Sequence, residues 1–302
     1  MDKKDFSNYS IPSSLPKPSL GSLEKTISSI SAIPVIALKI LEVTQNPKST
    51  VAQLESLIKS DTSLSTNLLR LVNSSYFGLN QSVVDIHKAI VLMGLKTVRD
   101  LALASSICPL FSGESIITNY SRINLWKHSV CVAIASRMVA RRIDSSLDES
   151  LFTMGIIHDL GILLLDLHAH VWFELILTHP EYQQLGLEGV EKELLGFTHH
   201  DLIQIILKKW QFPPMVVEAV AFHLQPSRSL IFSQQTAILY LANCLANRHG
   251  LGYTPHKNVK AEEFNHVLKV LNLGIKDIHV LMDDLPGELV DGNNLLIMIE
   301  DM

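Results

Sequence analysis

Cysteine is scarce and scattered in this chain of 302 residues: Cys108, Cys131 and Cys244 show no paired spacing of the kind that frames a zinc knuckle or a disulfide scaffold. Each lies in an apolar helical pattern, which reads as a buried, reduced thiol in a cytosolic protein. Charge is sparse too, with Asp, Glu, Lys and Arg at 18%. The net charge of -5 supplies no positive field to draw the chain toward nucleic acid or acidic lipid. Long apolar runs are missing. The richest stretch, Ile156 to Leu167, is broken by His158, Asp159 and Gly161 and falls short of the roughly 20 residues a membrane span needs. Behind Lys3 and Lys4 the opening segment, Met1 to Ser22, is rich in serine and proline and lacks the apolar run of a secretory signal, so it reads as a loose leader. There is no glycine-rich phosphate loop, internal repeat or low-complexity tract.

What is present is apolar and helical. Hydrophobic residues make up 47% of the chain, far from the composition that keeps a polypeptide unfolded, and the length allows one or two helical units around a large core. From Leu23 to about Phe111 the pattern predicts a bundle of short amphipathic helices. Thr50 and Gln53 form a capping-box pair ahead of Leu54, Leu57 and Ile58, in a helix ending near Ser60. Asp61 is the next N-cap, with Leu64, Leu68, Leu71 and Val72 on one helical face behind it. Asp85 starts a helix carrying Ile86, Ala89, Ile90 and Met93, which Gly94 stops in a left-handed conformation, and another runs from Thr97 to about Ile107. A looser stretch, Ser112 to Ser121, marks a boundary. The second bundle, Ser121 to His249, opens with Trp126 to Arg142, whose small residues (Ser129, Ala133, Ser136, Ala140) let neighbours approach and place it centrally. Leu147 to Asp159 is the next helix, Pro213-Pro214 begins one running to about His223, and Gln234 to His249 closes the group. From Gly250 to Met302 one helix is expected near Ala261 to Leu271, followed by an acidic, less regular end. The fold class is all-α.

The most informative pair is His158-Asp159 at the end of an apolar helix. An adjacent imidazole and carboxylate can hold a divalent ion if other helices bring ligands alongside. The dipeptide alone has a plainer reading, with Asp159 capping the following turn and His158 a hydrogen-bonded core residue. His128, His199 and His223, all on helical segments, strengthen the metal reading.

That order and its surroundings resemble the HD superfamily of metal-dependent phosphohydrolases, and more closely its HDOD branch of bacterial signalling modules. The resemblance covers roughly Leu23 to His249. In the first half it rests on Ile33-Pro34, on Asp61 through Leu71 leading into Asn73-Ser74-Ser75-Tyr76-Phe77-Gly78, and on Ala89 to Gly94 before Val98-Arg99-Asp100. In the second it rests on Trp126-Lys127-His128-Ser129, Gly155 to Gly161, Glu193 with Gly196-Phe197-Thr198-His199, Trp210 with Pro213, and Phe222-His223. It implies two packed helical bundles, the second HD-like, and a regulatory role without established catalysis. It also implies a metal held by His128, His158, Asp159 and the position of Asn243, where the family has aspartate. His199 and His223 fall where two-metal HD-GYP relatives bind a second ion, so one or two divalent ions (Fe, Mn, Ni or Zn) are the implied cofactors.

Three departures point away from hydrolysis. Asn243 offers a neutral oxygen in place of a carboxylate, which weakens the attraction for a cation. Ile162 stands where many HD hydrolases have a phosphate-facing lysine, and Leu224-Gln225-Pro226 carries no GYP signature. The expectation is a cytoplasmic regulator acting through contacts with an unidentified signalling protein, with no membrane or nucleic-acid partner and no catalytic residues. The alternative is a metal-dependent phosphohydrolase acting on a nucleotide or phosphoester. Among the other polar residues, Asp201 is read as completing the helix end capped by Thr198, and Arg141-Arg142 as a solvated helix end. His168, His170 and His179 are placed in an irregular exposed stretch, and Tyr76 and Phe77 between the bundles.

Overall fold

The structure, a computed structural model, describes residues 15–29, 35–45, 50–73, 81–113, 115–144, 148–253 and 259–291. The expected motifs Ile33-Pro34 and Ser74 to Gly78 lie outside the described residues. The protein is all-α. The first helices are α1 (Leu20–Ser29), α2 (Val35–Gln45), α3 (Val51–Lys59), α4 (Thr62–Val72), α5 (Ile86–Met93) and α6 (Leu95–Ile107). Then come α7 (Arg122–Ile143), α8 (Asp148–Ile157), α9 (Leu160–His168), α10 (His170–Leu177), α11 (Tyr182–Leu195), α12 (His199–Lys209), α13 (Pro214–Ala221) and α14 (Ser233–His249), followed by α15 (Ala261–Leu271) and α16 (Ile275–Asp291). Extended structure among the described residues is one antiparallel pairing, Ile116–Ile117 with Tyr120–Ser121, in the segment read as loose.

Local chemistry starts these helices as the sequence predicts. The Thr50/Gln53 capping box forms in both directions, and Asp61 and Asp85 accept from the backbone N–H groups of Leu64 and Lys88. Gly94 has φ 83° and ψ 153°, an extended mirror-image conformation and not the left-handed helical one. It joins α5 to α6 through a single residue, so α6 begins at Leu95 and not at Thr97. In the first group α6 is central, packing on α2, α3, α4 and α5, and it carries the join to the second through α8.

In the second group α7 is central, against α8, α14 and α16. Its small residues meet Gly155 of α8, where an added Cβ would run into the Ala133 backbone and stand 2.9 Å from the Val132 carbonyl carbon. A glycine is required there by the closeness of the two helices. The single helix expected from Leu147 to Asp159 ends at Ile157. His158 and Asp159 form a turn and α9 follows at once, which creates the corner that carries the site.

Four further departures follow from packing. His168 and His170 belong to α9 and α10 and not to an irregular stretch, because Trp172, Phe173, Ile176 and Leu177 bury one face of α10. The acidic end contains α16, whose Ile278, Leu281, Leu285 and Leu289 are buried at helical spacing. Arg141 and Arg142 donate to Glu288 (2.7 Å) and Asp277 (2.8 Å) of that helix, so they clasp α16 and are more than a solvated helix end. Helix α1 begins inside the segment read as a leader and packs on α9 and α12, while Trp172 Nε1 donates to the Pro16 carbonyl at 3.0 Å. The stretch Ser150–His168 reaches the length and hydropathy of a membrane span, at 19 residues and mean hydropathy 1.6, yet 89% of it is buried within the fold.

Candidate metal centre

Asp159 stands at the N-cap position of α9, but its side chain makes no capping bond and turns inward. Its Oδ2 lies 3.2 Å from His158 Nε2 and 3.7 Å from His128 Nε2, and its Oδ1 lies 3.5 Å from His223 Nε2. His128 comes from α7, His158 and Asp159 from the turn between α8 and α9, and His223 from just beyond α13. Candidate ligand atoms of His128, His158 and Asp159 all fall within 4.8 Å of one another. All four side chains are completely buried.

Backbone carbonyls orient two of the rings. His158 Nδ1 is 2.8 Å from the Gly155 oxygen, and His223 Nδ1 is 2.8 Å from the Val220 oxygen. A carbonyl can only accept, so Nδ1 of each ring carries a proton. Burial, helped by the neighbouring His158, pushes His223 down to about 4 against the pull of Asp159, so this ring is neutral at pH 7. The Nε2 lone pair of His223, 3.5 Å from Asp159 Oδ1, repels that oxygen. Imidazole nitrogens with one carboxylate, fixed by second contacts through the other ring nitrogen, are the donor set that divalent transition ions take. The residues therefore fit a metal.

His199 starts α12 in the adjoining layer. Its Nδ1 lies 2.7 and 2.9 Å from the two oxygens of buried Glu191, and its backbone N–H donates to Glu191 at 3.1 Å. Burial pushes His199 down, but Glu191 outweighs it and lifts the ring to about 9. Gly161 brings α9 against this helix start: a Cβ there would strike the His199 carbonyl oxygen and lie 2.9 Å from its carbon. His200 links the layers, with ring centroids 3.9 Å from His199 and 4.7 Å from His223, the latter pair stacked at 25°.

The structure thus brings His128, His158, Asp159 and His223 together and joins His199 to them through His200. Asn243, buried on α14, has its Oδ1 engaged by Asn247 Nδ2 at 3.0 Å. Ile162 is wholly buried in α9. Beside the centre lies a cavity of about 580 Å³ bordered by His200, Asn243, Asn247 and Phe222, among others. Thr198 caps α12 as expected, and Asp201 completes a capping box with it. Sequence reasoning missed Glu191 and His200 and singled out Glu193, which is exposed. A signal for Glu191 existed: it falls between Leu187 and Leu194 on the buried face of α11, a carboxylate at a core position.

An all-α protein carrying a buried histidine and aspartate cluster at a helix corner is the class that fold and site define. A family profile described as HDOD domain matches residues 30–226, and the chain belongs to the HDOD family. Solved structures agree on the fold. An HDOD domain protein of unknown function from Geobacter sulfurreducens is similar with TM-score 0.75 at 18% identity, covering 92% of this chain and 96% of that one. A Shewanella amazonensis SB2B protein classed provisionally as a phosphohydrolase gives TM-score 0.71 at 23% identity, covering 92% and 97%. A Marinobacter aquaeolei VT8 protein assigned provisionally to signal transduction gives 0.74 at 17%, covering 98% and 68%. An uncharacterized protein of Treponema pallidum (strain Nichols) is 23% identical over 206 residues, which is 67% of this chain but 39% of that protein's length.

Proposed function

We propose that the protein is a bacterial, cytoplasmic regulatory module that passes a signal to a protein partner, and that its histidine and aspartate centre holds a divalent ion without hydrolysing a substrate. The observation that carries this reading is the sealing of the centre. His128, His158, Asp159, His199 and His223 are each at 0% exposure. A phosphohydrolase must bring phosphorus to a metal-activated water and stabilise the charge that develops there, and these side chains present no open face for that. Ile162 adds an apolar wall where a cation would be needed, and Asn243 turns its oxygen to Asn247.

In this reading His128, His158 and Asp159, with His223 and His199 in support, hold one or two ions of the Fe, Mn, Ni or Zn type, and Asn243 is a weak sixth position. The phosphohydrolase reading keeps one observation in its favour: a cavity of substrate size borders the centre at His200 and Asn243. Metal analysis of the purified chain, together with a screen of nucleotides and phosphoesters, separates the two. We expect bound metal and no turnover. Turnover that disappears in His158→Ala would overturn the regulatory reading.

A further inference from the structure

We infer that the cavity beside the histidine cluster binds a small phosphorylated metabolite of about mononucleotide size, and that His200 relays its presence to the centre. The inference rests on the regulatory reading, because the ligand is held and not turned over.

The cavity of about 580 Å³ lies within the size range of small-molecule sites. Its wall supplies paired amides. Asn243 Oδ1 accepts from Asn247 Nδ2, which leaves Asn243 Nδ2 to donate, and the Oδ1 of Asn247 is buried and accepts no hydrogen bond among the described residues. A donor beside an acceptor matches the polar edge of a planar ring. Phe222, also on the wall, supplies an aromatic face, with the Arg228 guanidinium carbon 4.8 Å from its ring centroid.

Charge at the cavity favours an anion. Lys192 is 3.9 Å from Asp201, and Glu188 is 3.8 Å from His200 Nδ1. Among the described residues neither Arg228 nor Lys260 pairs with a carboxylate, and the polar contact Arg228 makes is with the neutral amide of Gln225 at 3.2 Å. Two cations unmatched by acid, in a chain whose net charge is -5, set a local positive balance suited to a phosphate. The third feature is position. His200 borders the cavity, stacks on His223 and meets His199 at a tilt, so a ligand that shifts its ring acts on residues from both layers of the centre.

The test is calorimetric titration of the full chain with AMP and GMP, with inorganic phosphate and adenosine as separate arms. At least one nucleotide binds, phosphate and adenosine bind more weakly, and the double variant Arg228→Glu, Lys260→Glu weakens nucleotide binding by about tenfold or more while keeping its circular dichroism. Both substituted side chains are exposed, so folding is spared. In 15N-labelled protein the ring signals of His200, His199 and His223 shift on adding the nucleotide. No binding of either nucleotide, equal binding of phosphate alone, an unchanged affinity in the double variant, or unmoved His199 and His223 signals would each overturn the inference. Release of phosphate from a bound nucleotide would instead overturn the regulatory reading and leave the binding site standing.

Discussion

His158 Nε2 and Asp159 Oδ2, from neighbours in sequence, face each other at 3.2 Å, while the Gly155 carbonyl holds the other ring nitrogen at 2.8 Å. Both atoms are donors that a divalent ion placed between them would take. We therefore expect Zn or Mn to raise the stability of the wild-type protein, by about 2.7 kcal/mol at an ion concentration 100 times Kd. Asp159→Asn removes that gain, because the amide brings no charge to the ion. Thermal melts of both proteins, with and without metal, check this; a variant that gains as much as the parent would sink the metal assignment.

Glu191 holds the proton on His199 Nδ1 and fixes the ring. Partners of this kind are worth about 10–100-fold in metal affinity. Glu191→Gln should lose that much in competition with a chelator, while Glu193→Gln, at an exposed position two residues on, should lose nothing.

Gly161 and Gly155 sit where a methyl group has no room, against the backbones of His199 and Ala133. Alanine at either position should cost about 1–3 kcal/mol through overpacking. Gly21→Ala, with nothing within 4 Å of the new carbon, should cost nothing. Urea unfolding curves rank the three, and equal losses would show that helix spacing is not the cause.

Buried Asp166 ties the β pairing to α9 and α10: it accepts from Ser115 (3.1 Å), Tyr120 (2.9 Å), Arg122 (2.6 Å) and His170 (2.7 Å). Burial pushes its carboxyl up, but Arg122, His170 and Tyr120 together outweigh that and hold it below the usual range. A carboxyl depressed in the folded state stabilises fully above its unfolded value near pH 4 and loses the contribution as pH falls through the folded value. Asp166→Asn should cost about 1.5–3 kcal/mol at pH 7. The difference from wild type should shrink below about pH 4, as urea titrations at pH 7, 5, 4 and 3 would show; a constant difference would mean that the charge is not responsible.

Legibility in the sequence tracked how local each signal is. The caps at Thr50, Asp61 and Thr198 and the helix Ala261–Leu271 depend on a few neighbouring residues, and they form as expected. Helix α9 carries Ile162 to Leu165 with no polar face, so periodicity could not place its start, and the turn at His158-Asp159 was absorbed into the preceding helix. In α16 the buried Ile278, Leu281, Leu285 and Leu289 are interleaved with acids, which made an amphipathic helix look like an acidic tail. The order His128, His158-Asp159, His223 was readable through family likeness. Glu191, His200 and Asp166 were not, because each acts on a residue that only the folded chain brings near.

The absence of any exposed atom on the five inner side chains sets a clock as well as a geometry. An ion held there can come or go only when α7, the α8–α9 corner and the end of α13 part, so exchange can be no faster than that opening. Which metal a molecule carries would then be decided largely while the newly made chain closes, by whatever ion the cell offers at that moment. Afterwards the protein would keep a record of that supply for as long as the helices stay shut.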